Sequence, residues 1–124
     1  MNRKVKFRGF VAELKAWVYG YFVIDPKGKY RIYHQPFSEA TSNTYHFVIP
    51  ETVGQFTGLT DKNGVEIYEG DIIKLDDIIC PITFSDGGFQ MITSENQGKS
   101  ACIQDRVKYF EVIGNIHQHP EFLF

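Results

Sequence analysis

Apolar and polar residues alternate with a period of two along most of the chain, which predicts strands. In VKFRGFV, Val5, Phe7 and Val11 share a parity with Gly9, while Lys4, Lys6 and Arg8 take the other. This predicts a half-buried first strand with a basic outer face. AWVYGYFVI, Ala16 to Ile24, is apolar on both parities: Val18, Phe22 and Ile24 on one, Trp17, Tyr19, Tyr21 and Val23 on the other. Such a run is central in a sheet or covered by another layer. The turn DPKG from Asp25 to Gly28 joins it to a hairpin partner, Tyr30 to His34. After the loop QPFSEATSN, Thr44 to Ile49 reads as another strand, with Tyr45, Phe47 and Ile49 on one face.

Pro50 to Gly64 is the least regular piece, because Gly54, Gly58 and Gly64 interrupt any periodicity. Around Gly54 to Gly58 it is expected to divide an N-terminal β layer from a barrel-like C-terminal half within a single domain, residues 1–124. DKNG, Asp61 to Gly64, is a second hairpin-type turn. In VEIYEGDIIKL, Gly70 marks a bulge or bend, after which Ile73 and Leu75 face inward and Ile72 and Lys74 outward. Ile78, Cys80, Ile82 and Phe84 share a face of the next strand, and Pro81 marks an edge or bulge there. The turn SDGG leads to a return strand, FQMIT. RVKYFEVIGNI, Arg106 to Ile116, reads as the last strand, and HPEFLF as a final helical turn opened by Pro120. VAELKAW is the best helical rival, but it is short and uncapped. Short strands with turns about every 10 residues predict a mainly β fold: a small bent barrel or roll with an N-terminal β extension and little helix.

The chain has 124 residues, the size of one domain that buries about two thirds of its unfolded surface without needing a disulfide or metal. Hydrophobic residues make up 43% and aromatic ones 15%, with 11 Phe and 7 Tyr, which fits strands. The net charge of −2 lacks the general basic excess of a nucleic-acid-binding domain and leaves room only for a local basic patch. Cys80 and Cys102 form no CxxC, and no leader or membrane-spanning apolar segment is evident, so a cytoplasmic setting with reduced thiols is expected.

The polar motifs offer little chemistry. Glu66, Glu69 and Asp71 resemble an acid cluster, but no histidine or further acid stands at a diagnostic spacing, and Asp71 suits the reception of turn amides. GKS at Gly98 to Ser100 ends like a phosphate loop, yet the required earlier glycine is Thr93. His117 and His119 share a parity but are too few for a metal, and the spacing of His34 and His46 does not recruit them. Cys80 aligns with core positions, and Cys102 stands between Ala101 and Ile103, so neither is read as a nucleophile. No catalytic residue, cofactor or metal is expected. Two surfaces stand out. The stripe Arg3, Lys4, Lys6, Arg8 suits phosphates, with Phe10 or Trp17 for stacking, or else guards an edge strand. The face Trp17, Tyr19, Tyr21 is a partner contact if exposed and core if covered.

VGQFTGLTDKNGVEIYEGDIIKL resembles the central signature of the YopX family of small phage and prophage proteins. KFRGFV is similar to that family's basic-aromatic start, and YFEVIGNIHQHPEFL to its closing strand and tail, with His119 where an asparagine is expected. The segments 15 to 48 and 86 to 106 match loosely. The resemblance implies a phage or prophage origin, an intracellular setting and a mainly β fold, and it implies no activity. EGDIIKL also resembles strands of SH3-like barrels. The resulting expectation is a non-catalytic interaction module with a phage or host protein as partner, or a homo-oligomer formed through aromatic faces or strand edges. The alternative is a nucleic-acid-binding protein using the basic N-terminal strand. A hydrolase at the carboxylates ranks below both.

Overall fold

The computed structural model describes residues 5–34, 44–85, 87–92, 100–102 and 106–123. The fold is mainly β: eleven strands, with helix limited to short 3-10 turns among the described residues. By contacts the chain divides into two compact units, Met1–Phe56 and Thr57–Phe124. The division falls inside the glycine-broken stretch.

The first unit holds β1 (Phe7–Val11), β2 (Ala16–Ile24), β3 (Tyr30–His34), β4 (Tyr45–Phe47) and the start of β5 (Gly54–Thr60), in the order β4-β3-β2-β1-β5. β2 and β3 have the limits that the aromatic-rich run and the DPKG turn predict. Their turn is set by Asp25, whose carboxylate accepts the amides of Lys27 and Lys29 at 2.9 Å each. Gly28 takes φ +81°, a conformation that favours glycine. One face of this sheet packs Val11, Ile32 and Val48 with Phe7, Val18, Phe22, Tyr30 and Val53 around them. Gly9 lies on that face because a Cβ there would meet Val48 Cβ at 2.7 Å. Gly9→Ala is therefore expected to lower stability by about 2 kcal/mol in urea unfolding. Combined with Val48→Ala, the loss should be less than the sum of the two single losses.

The second unit contains the end of β5, then β6 (Glu66–Tyr68), β7 (Asp71–Leu75), β8 (Ile78–Ser85), β9 (Gly88–Ile92), β10 (Ser100–Cys102) and β11 (Glu111–Asn115). Five of these form an antiparallel sheet, β10-β9-β8-β7-β11. Its core is Ile67, Ile73, Leu75, Cys80, Ile82, Met91 and Phe110. β8 changes partner midway: Ile78 to Pro81 pair with β7, and Ile82 to Ser85 pair with β9. Pro81 stands at that handover, where a residue lacking an N–H is tolerated. Burial pushes the Cys80 thiol up to about 11, so it is held as an inert core group.

Several expectations need correction. The mainly β class with little helix stands, but among the described residues the strands form two antiparallel sheets with no closed barrel, SH3-like or otherwise. Alternation reports which side chains share a face, but closure depends on which outer strands meet, and the second sheet ends in β10 and β11. Residues Gly54–Thr60 form a strand despite their glycines; Gly58, at φ +86°, bends it without ending it. Ile72 is as fully buried as Ile73, and Phe84 at the far end of β8 is exposed. Val5 is exposed as well, leaving Phe7 and Val11 to face the core. The last strand starts late, after a 3-10 turn at Val107–Tyr109. The helical turn at the end is present as Pro120–Leu123.

Candidate functional site

Residues directly opposite each other in an antiparallel sheet project to the same side. In the first unit the register pairs Arg8 with Tyr19, Phe10 with Trp17, Tyr21 with Tyr33, Val23 with Arg31, Arg31 with Phe47, and Tyr33 with Tyr45. All of these side chains therefore share one face, opposite the Val11–Ile32–Val48 core. Tyr19 and Tyr21 are each 44% exposed and Phe47 is 47% exposed. The sequence leaves this face open between core and contact surface; the structure exposes Tyr19 and Tyr21 and half-buries Trp17.

The face is built as an array of rings and cations. Tyr33 and Tyr45 rings lie 5.2 Å apart, and Tyr45 and Phe47 rings 5.4 Å apart, edge to face. The Arg31 guanidinium sits 4.3 Å from the Tyr45 centroid and 5.4 Å from that of Phe47. It donates to the Tyr33 hydroxyl at 3.1 Å and to Asp25 at 2.9–3.0 Å. Lys29 Nζ lies 5.3 Å from the Phe47 ring. These contacts fix the ring planes and hold positive charge among them. The Asp25 carboxyl lies below the ordinary carboxylate range, chiefly through the Lys29 amide, against burial and with help from Lys27 and Arg31.

The basic stripe resolves differently. Arg3 and Lys4 fall outside the described residues. Lys6 is half-buried, with its ammonium 5.3 Å from the Phe56 ring. Arg8 is only 6% exposed, and its guanidinium lies 4.4 Å from the Trp17 ring. Where alternation predicts a solvated basic face, the neighbouring strand's indole covers Arg8. The parity was legible; the cross-strand cover was not. Trp17 is itself half-buried and makes an edge contact with Phe10.

Of the acids near residue 70, Asp71 holds the backbone. Asp71 is buried and accepts the Tyr68 amide at 2.7 Å, clamping the bend at Gly70. Glu66 accepts from the Tyr68 hydroxyl at 3.3 Å. His119 accepts the Asn115 amide through Nδ1 at 3.2 Å and stacks on Phe122, while His117 is exposed. No group of three metal-ligating residues forms among the described residues. The GKS motif and the Cys102 side chain lie outside what is described.

One pair escaped sequence reasoning. His34 Nε2 and His46 Nδ1 are 2.9 Å apart, one donating to the other. Their separation of twelve positions carries no signal; the β3–β4 register does, because Ile32 opposite His46 makes His34 its diagonal neighbour.

The protein-family description "YopX protein" matches residues 6–124. No curated protein matches. The chain is similar in structure to protein EF1440 from Enterococcus faecalis, at 28% identity and a TM-score of 0.59, over 98% of this chain and 99% of that one. No helix among the described residues is long and apolar enough to cross a membrane.

Proposed function

The chain belongs to the YopX family, and on that premise we propose that it is a non-catalytic binding module of phage or prophage origin. One observation carries the reading: an exposed sheet face on which Tyr19, Tyr21, Tyr33, Tyr45 and Phe47 are interleaved with Arg31 and Lys29. The face suits a ligand that is anionic and offers flat groups for stacking. Of the acids that resemble a catalytic cluster, Asp71 is occupied in holding the bend at Gly70 and Glu66 bonds the Tyr68 hydroxyl, which supports a binding role over hydrolysis. The family resemblance supports the phage setting, and the free, buried Cys80 fits a reducing cytoplasm.

Photo-cross-linking in cells carrying the parent phage or prophage tests this. Benzoylphenylalanine is placed at Tyr21 or Phe47, and at the exposed Phe84 of the second unit as control. Adducts are expected at the first two positions and not at the third. No adduct on the sheet face, or equal yield at Phe84, would contradict the reading.

A further inference from the structure

We infer that the ligand of this face is single-stranded nucleic acid, its bases stacked on the tyrosine and phenylalanine rings and its phosphates drawn to Lys6, Lys29 and Arg31. The inference rests on the binding-module reading above and names its partner.

Three observations support it. Rings two residues apart on one strand, such as Tyr19 and Tyr21, stand about 7 Å apart, a spacing that an extended strand with bases turned out can follow. The face has a sign: among the described residues of β1 to β5 it carries Arg31 and the buried Arg8 and no acid, with Lys29 beside the exposed Phe47 ring and Lys6 beside the buried Phe56 ring. The nearby carboxylate, Asp25, lies beyond the end of β2 and is bound to Arg31. This local positive charge stands against a chain of net charge −2, so it marks a place rather than a general property. The face is also poor in aliphatic groups. Val23 is the sole aliphatic side chain projecting from it among the described strand residues, so the contact area it offers is mainly flat rings, the platform on which bases stack. A duplex conceals the flat faces of its bases and cannot use the rings, so the single strand is the form that fits.

The basic N-terminal strand that the sequence suggests is no edge strand: β1 lies between β2 and β5, and the contact extends from it across the same face to β2, β3 and β4. Arg8, buried against Trp17, fixes the floor of the array, and the exposed rings on β2 and β4 meet the bases.

Fluorescence anisotropy with labelled oligothymidylate and oligouridylate of about 16 nucleotides, and a duplex of equal length, tests the inference. Both single strands are expected to bind and the duplex to bind at least tenfold more weakly. Raising salt from about 50 to about 200 mM should weaken binding about tenfold, as two or three neutralised phosphates would. Tyr19→Ala with Tyr21→Ala should weaken binding at least about tenfold, while Tyr19→Phe with Tyr21→Phe stays within about threefold. Circular dichroism melts confirm that both double variants are folded; if the alanine pair is not, Phe47→Ala replaces it with the same expectation. Absence of binding at low salt, equal affinity for duplex, or an unaffected alanine variant would each overturn the inference. If no oligonucleotide binds yet the Tyr21 cross-link is made to a protein, the nucleic-acid inference fails and the binding-module reading stands.

Discussion

Replacing Asp61 with alanine is expected to lower the unfolding free energy by about 4 kcal/mol at neutral pH. Asp61 opens the DKNG turn, and its carboxylate accepts three amides: Asn63 at 2.8 Å, Val65 at 2.9 Å and Val112 at 2.9 Å. The first two close the turn with Gly64 at φ +80°. The third reaches 51 residues along the chain to β11, and the Lys62 amide adds a bond to the Phe110 carbonyl at 3.0 Å. One side chain thus shapes a local turn and ties it to a distant strand. It is buried, so alanine leaves shielded donors without acceptors. Asn should recover roughly half the loss, since its single carbonyl can still accept the two turn amides.

The same residue sets a pH dependence. Burial is the largest influence on its carboxyl and raises it, but the amides of Val112, Val65 and Asn63 together outweigh it and hold the carboxyl below its ordinary value. A folded-state value below the unfolded one means that its stabilisation is complete above the unfolded value of about 3.9 and is lost as pH falls through the folded value. Urea midpoints of wild type and Asp61→Ala should therefore differ at neutral pH and draw together in strong acid. A constant gap across that range would show that the ionised carboxylate is not the stabilising species.

The second large effect is expected at Phe110. Phe110→Ala should cost about 4 kcal/mol, and Phe110→Leu about 1.5, read from urea midpoints with the slope unchanged. The ring is fully buried in the cluster of Ile67, Ile73, Leu75, Cys80, Ile82 and Met91. Its backbone also ends the 3-10 turn, donating to the Val107 carbonyl at 3.0 Å, and accepts from Lys62. Because truncation opens a cavity where two segments meet, little local collapse can relieve it. A loss below about 1 kcal/mol would mean that the ring is not in the core.

Legibility from sequence followed range. β2 and β3 are legible to their end residues because an Asp-x-x-Gly turn and an uninterrupted aromatic-rich run are both local signals. The same Asp-x-x-Gly signal located the turn at Asp61, though not its bond to Val112. The role of Asp71 was readable from its place beside a glycine bend. Failures came where distant strands decide. Gly54 and Gly58 reduce local strand preference, yet pairing of Phe7 with Gln55 and Arg8 with Gly54 holds β5 in place. The Arg8 side chain has the predicted parity but is buried by an indole from β2. The His34–His46 contact and the exposure of Tyr19 and Tyr21 likewise depend on what lies across the sheet or above it, which periodicity does not encode. The candidate site was thus half legible: its three β2 aromatics were identified, but Arg31, Tyr33, Tyr45 and Phe47 were not joined to them.

Nuclear magnetic resonance of the folded protein titrated with oligothymidylate offers the most direct measurement. The Trp17 indole and the rings of Tyr19, Tyr21, Tyr45 and Phe47 should shift and show contacts to base protons, while Ile73, Ile82 and Phe110 stay unmoved. Shifts centred instead on Glu66 to Asp71, or no contact between any of these rings and a base, would contradict the assignment of the sheet face as the working surface.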